Sequence, residues 1–114
     1  MELGAYTVFT YSLNRNGQAM ITKYQGNASN VLIPETLNGY PVIGIGEKAF
    51  QNNKKIQNVS IPACVEHIGR LAFHKCAALE YVALPNNSRD ISIRTNTFDG
   101  CTNLKNTSGT ERDA

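Results

Sequence analysis

Tryptophan is absent, charged residues make up only 18% of the 114-residue chain, and neither like charges nor apolar residues form a long run. Each scarcity excludes something. The formal charge of +2 is small and scattered, with Lys54 and Lys55 the densest basic spot, so no electrostatic footprint for nucleic acid exists. No apolar stretch approaches a membrane span, which excludes membrane insertion by a helix. The first residues, Met1-Glu2-Leu3-Gly4-Ala5-Tyr6, lack the basic and apolar regions of an export signal. As given, the chain reads as soluble; an intracellular protein and a processed export product both fit, so the compartment stays open. Three cysteines, Cys64, Cys76 and Cys101, are an odd number at spacings unlike a disulfide framework. Disorder of the bulk is excluded by a hydrophobic fraction of 41%, and the length predicts one domain with one core.

Chemistry is scarce as well. There is no nucleophile elbow, phosphate loop or metal-binding helix, and the serines and acids lie scattered over turns, so the sequence predicts no enzyme and no cofactor. Cys64, His67, His74 and Cys76 form the one cluster of metal-ligating types. They fall at different places in the repeat described next and would have to converge from different sides of it, which tetrahedral ligation does not tolerate. The expectation is buried free thiols and no metal site. Asn27-Ala28-Ser29, Asn58-Val59-Ser60, Asn86-Asn87-Ser88 and Asn106-Thr107-Ser108 are formal glycosylation sequons that an asparagine-rich repeat produces by chance.

What the chain has in abundance is self-similarity. Val42-Ile43-Gly44-Ile45-Gly46-Glu47-Lys48-Ala49-Phe50 aligns without a gap on Val65-Glu66-His67-Ile68-Gly69-Arg70-Leu71-Ala72-Phe73, and Ile56-Gln57-Asn58-Val59-Ser60-Ile61-Pro62 on Leu79-Glu80-Tyr81-Val82-Ala83-Leu84-Pro85, both 23 residues apart. Weaker copies flank them at Ala28 to Pro34 and Phe98 to Leu104, the latter 25 residues after its counterpart because residues 86–90 are inserted. So short a unit cannot bury its own apolar side chains, and its neighbours must do so. The predicted rungs are Val31, Val59 and Val82; Ile33, Ile61 and Leu84; Ile45, Ile68 and Ile93; Phe50, Phe73 and Phe98; and Ile56, Leu79 and Leu104. Alternation predicts a short strand before each proline and a second extended segment before Gly46 and Gly69, with one or two helical turns over Glu47 to Asn53 and Arg70 to Lys75. The fold class is an α/β repeat solenoid, β-dominated, of about three coils.

A different grammar precedes the coils. Tyr6 to Leu13 and Ala19 to Tyr24 flank Asn16-Gly17, a hairpin signature, and Asn38-Gly39 with Pro41 marks a further turn. The predicted organisation is an N-terminal β-hairpin cap over residues 1–27, coils over 28–104, and a polar, disordered tail over 105–114.

The pattern Ile-Pro, then Val-x-x-Ile-Gly-x-x-Ala-Phe, then Cys or Asn three residues on, then Leu-x-x-Val-x-Leu-Pro resembles the BspA-like, or treponemal-type, leucine-rich repeats across roughly residues 28–104. The third unit is looser, with Arg94 in the place of Gly69 and Thr97 in that of Ala72. The resemblance implies a right-handed leucine-rich-repeat superhelix in a bacterial protein that is secreted or on the cell surface. It also implies binding of proteins or host matrix in adhesion and recognition.

Non-ladder residues of the strands form outward columns: Ser29, Gln57 and Glu80; Asn30, Asn58 and Tyr81; Leu32, Ser60 and Ala83. The expected ligand-binding face is Asn30, Leu32, Gln57, Asn58, Ser60, Glu80, Tyr81 and Ala83, polar and nearly uncharged, with Tyr81 as its aromatic anchor for a protein or glycan. The alternative is self-association through the uncapped last coil near Phe98 and Leu104, as a homo-oligomer or as a segment of a longer repeat protein.

Overall fold

The computed structural model describes residues 8–84, 91–94 and 96–108, so the insertion at 86–90, the first seven residues and the last six lie outside it. Ten short strands follow in order: β1 Phe9–Leu13, β2 Ala19–Tyr24, β3 Asn30–Leu32, β4 Thr36–Leu37, β5 Tyr40–Ile45, β6 Asn58–Ser60, β7 His67–Ile68, β8 Tyr81–Ala83, β9 Ser92–Ile93 and β10 Asn106–Ser108. They make two sheets, one ordered β1-β2-β5-β7-β9 with β4 on β5, the other β3-β6-β8-β10. From β5 onward the chain visits the two sheets in turn and pairs each new strand in parallel with its predecessor one coil back. This is a β-dominated repeat solenoid.

The register is the one that the 23-residue period requires. Val31 pairs with Val59 and Val59 with Val82, while Ile45 pairs with Ile68 and Ile68 with Ile93. Because strand side chains alternate, this register turns every valine and isoleucine of those columns into the core and their neighbours out. Val59, Val82, Ile45, Ile68, Ile56 and Leu79 are buried almost completely. The phenylalanines stack, with ring centroids 4.8 Å apart between Phe50 and Phe73 and 5.6 Å between Phe73 and Phe98. Burying such a ring contributes about 1.5–3 kcal/mol, and stacking about 0.5–1.5 kcal/mol per pair beyond that.

The third side of each coil is not helical, and the expectation of helical turns there is corrected. Among the described residues no helix forms. Lys48 and Asn52, Leu71 and Lys75, and Asn96 and Gly100 all take positive φ, at matching places four residues apart. A left-handed residue breaks a helix wherever it occurs. The segment instead folds as consecutive turns: Ala49 N donates to Gly46 O, Gln51 N to Lys48 O and Asn53 N to Phe50 O. The intervening amides reach the next coil, Lys48 N to Arg70 O, Phe50 N to Ala72 O and Asn52 N to His74 O. Apolar spacing could not distinguish this arrangement from a helix, because Ala49, Phe50 and Asn53 carry the same pattern in both.

The N-terminal hairpin is more than a lid. β2 pairs in parallel with β5, setting Ile21 opposite Ile45 as the rung before it. Tyr24 then takes the place of a phenylalanine: its amide donates to Ala49 O as that of Phe50 does to Ala72 O, and its ring stacks on Phe50 at 5.0 Å. Phe9 of β1 closes the column against Tyr24 at 5.2 Å. At the other end, the stretch read as a polar tail from residue 105 supplies β10, which pairs with β8.

Glycine sets the spacing of the coils. A Cβ on Gly69 would stand 2.7 Å from Glu47 N and 2.8 Å from Gly46 C, so the two backbones touch, and Gly69 N donates to Ile45 O at 2.7 Å. One coil on, Arg94 occupies that register, and the equivalent bond, Arg94 N to Ile68 O, is 3.0 Å long. The larger residue and the wider Phe73–Phe98 spacing belong together. Thr97, in the place of Ala72, keeps its buried hydroxyl satisfied by donating to Arg94 O at 2.6 Å.

Candidate functional site

The sheet β3-β6-β8-β10 carries the outward columns. Asn30, Asn58 and Tyr81 stand opposite one another, as do Leu32, Ser60 and Ala83, and β10 adds a fourth row with Asn106 opposite Tyr81 and Ser108 opposite Ala83. Each strand is entered through the same backbone device. Ser29 O accepts from the amides of both Gln57 and Asn58, Gln57 O from those of Glu80 and Tyr81, and Glu80 O from Lys105 N. These bonds hold Ser29, Gln57 and Glu80 in one row, and the structure thus brings all eight proposed residues onto one face.

The face is polar at one side and apolar at the other. Asn58 Nδ2 donates to Asn30 Oδ1 at 2.7 Å, joining two strands side chain to side chain. Leu32 is 75% exposed and Tyr81 45%, the first and third strands' contributions to an open apolar margin. Such exposed large side chains are notable where the rest of the face is amide and hydroxyl. Glu80 is its one charged residue, half-buried at the strand entry.

Magnitude limits what this face can do alone. With strands about 4.8 Å apart and a rise of about 3.3 Å per residue, four rows of four residues cover roughly 15 by 10 Å. A standard interface buries about 800 Å² per partner. The strand face therefore suits a small ligand, a weak contact, or one stretch of a longer concave surface.

The cysteines and histidines are distributed by the coil geometry. Cys76 is fully buried and its thiol donates to Phe50 O at 3.0 Å; Cys101, one coil on, donates to Phe73 O at 2.9 Å. Hydrogen bonding to Cys101, together with burial, holds the Cys76 thiol well above its ordinary range. Cys64 is raised by burial. All three are free thiols. Cys64, Glu66, His67 and Ser92 line a cavity of about 360 Å³ beside β7, whereas His74 Nδ1 lies 3.1 Å from Gln51 Nε2 on the turn side. The four ligand types thus do not converge, and among the described residues no three His, Cys, Asp or Glu side chains are placed to hold a metal ion.

Sequence reasoning missed two contributors, the fourth row at β10 and the Tyr24 rung. Tyr24 follows Ile21 by three residues, whereas Phe50 follows Ile45 by five, so a gapless alignment passes over it.

Residues 22–112 match the family described as BspA type Leucine rich repeat region, in six copies. Solved structures similar to this chain include a leucine-rich-repeat protein of Treponema pallidum, at 32% identity and a TM-score of 0.79 over 86% of this chain and 45% of that one. A leucine-rich cell surface protein of Faecalibacterium prausnitzii matches at 34% identity and a TM-score of 0.75, over 87% of this chain and 28% of that one. A leucine-rich-repeat protein of Bacteroides capillosus matches at 34% identity and a TM-score of 0.64, over 70% of this chain and 63% of that one. Comparison with curated proteins gives no match. The chain spans less than half the length of the first two structures.

Proposed function

The chain belongs to the BspA-type leucine-rich-repeat family, a repeat-based class of protein-interaction module, and on that premise we propose that it is a non-enzymatic recognition unit whose ligand lies across the face of β3, β6, β8 and β10. The observation that carries this reading is the ordered row of uncharged amides and hydroxyls beside exposed Leu32 and Tyr81. Amides and hydroxyls fixed on a rigid sheet cost little entropy to engage, and an exposed tyrosine and leucine supply apolar area. Asn30, Gln57, Asn58, Ser60, Glu80, Tyr81 and Ala83 then orient the ligand, and Leu32 anchors one margin. A protein or glycan of the bacterial surface environment fits this chemistry, and the likeness to a leucine-rich cell surface protein supports an adhesive role.

The test is binding of the full chain to purified extracellular-matrix proteins and to a neutral-oligosaccharide array, beside a variant with alanine at Gln57, Asn58 and Tyr81. The reading expects the variant to lose at least about tenfold in affinity for whatever the parent binds, the equivalent of about 1.4 kcal/mol. Equal binding by the variant sinks the assignment of this face.

The greater length of the two similar structures favours a second reading, a segment of a longer repeat surface. The roughly 15 by 10 Å face then contributes one part of a larger interface.

A further inference from the structure

The amides on the turn side of the solenoid all point one way. Tyr24 N donates to Ala49 O, Lys48 N to Arg70 O, Phe50 N to Ala72 O, Asn52 N to His74 O, Phe73 N to Thr97 O and Lys75 N to Asp99 O. In every case the donor belongs to the earlier coil and the acceptor to the later. The cause is conformational: left-handed residues repeated among right-handed ones rotate the peptide planes alike, so N–H groups gather on one edge and carbonyls on the other. A β-strand edge alternates donors and acceptors; this edge does not.

Its polarity matters where the coils end. Phe98 and Gly100 occupy the places of Phe73 and Lys75, with the same positive φ at Asn96 and Gly100, and among the described residues their amides have no backbone acceptor. Beside them Phe98, Ile93, Cys101 and Leu104 are only partly buried, whereas Phe73, Ile68, Cys76 and Leu79 one coil earlier are fully buried. A row of donors thus adjoins an unfinished apolar ladder.

We propose that this end of the solenoid is a one-way docking edge that takes the carbonyl edge of another coil of the same repeat type and rejects a second copy of this chain. A two-fold contact between copies would set donors against donors. A head-to-tail contact needs the carbonyl edge of the first coil, and the hairpin already holds it: Tyr24 N occupies Ala49 O, and Tyr24 and Phe9 cover Phe50. A bound anion would satisfy the donors but leave the apolar rungs exposed. An incoming coil supplies both partners, carbonyls for Phe98 and Gly100 and a ring to stack on Phe98. This inference does not depend on the strand-face reading.

The experiment uses two proteins: the full chain, and the full chain with a copy of Ile61–Ala83 inserted between Ser108 and Gly109, which continues the register because Ser108 pairs with Ala83. Amide hydrogen exchange is read at Phe98 and Gly100 against Phe73 and Lys75, with light scattering on both proteins. In the full chain, Phe98 and Gly100 should exchange at least about a hundredfold faster than Phe73 and Lys75, and the protein should stay monomeric up to the highest concentration measured. The inserted coil should slow Phe98 and Gly100 by at least about tenfold, and a scrambled insert should not. A dimer of the full chain that protects these amides overturns the proposal. So does protection conferred by inorganic phosphate alone, equal protection by the scrambled insert, or amides already as slow as those of Phe73 in the monomer.

Discussion

Replacing Gly69 by alanine puts the packing account at risk at a single atom. The added Cβ would lie 2.7 Å from Glu47 N, 2.8 Å from Gly46 C and 3.1 Å from Glu47 Cα, all backbone of the preceding coil. None of these can swing aside, so the coils must part by about half an ångström or more, which is overpacking and costs about 1–3 kcal/mol. Parting them also stretches the 2.7 Å bond from Gly69 N to Ile45 O and the 3.2 Å bond from Lys48 N to Arg70 O, the second already near its limit. A total of about 2–3 kcal/mol follows, and at about 4–8 °C per kcal/mol for a domain of this size the melting temperature falls by roughly 8–24 °C. Gly44 is the control. Its added Cβ meets Met20 Sδ at 2.7 Å and Cε at 3.0 Å, the movable end of a side chain, with His67 O at 3.2 Å. Alanine there also lowers unfolded-state entropy by about 0.4–1 kcal/mol, so the net effect should stay within about 4 °C. Thermal melts of both variants followed by circular dichroism decide the matter. A Gly69→Ala protein melting within about 2 °C of the parent, or a Gly44→Ala protein that loses more than Gly69→Ala, refutes the close-contact argument.

Phe73→Leu removes a ring stacked on both Phe50 and Phe73's other neighbour, Phe98, and should cost about 1–3 kcal/mol in urea unfolding, more than Phe98→Leu, which loses one stack. Asn58→Ala breaks an exposed bond to Asn30 and should change stability by less than about 1 kcal/mol, leaving it fit for binding assays. Alkylation of the native protein followed by peptide mapping should modify Cys101 first, because its hydrogen bond with Cys76 lowers its pKa, then Cys64, and leave Cys76 last. Early labelling of Cys76 would contradict its place in the core.

The ladders were legible because burial repeats with the chain's own period. Val31, Val59 and Val82 announce their column by spacing alone, and one register places every outward residue of the strand face. The turn side was not legible. Whether Glu47 to Asn53 forms a helix or consecutive turns depends on the sign of φ at Lys48 and Asn52, and neither residue type announces a left-handed backbone. The hairpin's contribution was hidden for a different reason, since Tyr24 replaces phenylalanine at altered spacing and only the stack on Phe50 reveals the equivalence. β10 was obscured by composition: Asn106-Thr107-Ser108 carries no apolar pattern, and the backbone edge of β8 is what orders it. Arg94 and Thr97, which looked like decay of the repeat, have physical consequences in a longer coil-to-coil bond and a satisfied hydroxyl.

The claim that the outward strand face is the recognition surface is tested most directly by chemical-shift mapping on the isotope-labelled chain, titrated with a matrix protein fragment or oligosaccharide that it binds. Perturbed amides should cluster at Asn30, Leu32, Gln57, Asn58, Ser60, Glu80, Tyr81 and Ala83, with the turn side around Lys48 and Leu71 unmoved. A cluster centred instead on the hairpin, on the cavity at Cys64 and His67, or on the coil end at Phe98 would contradict it.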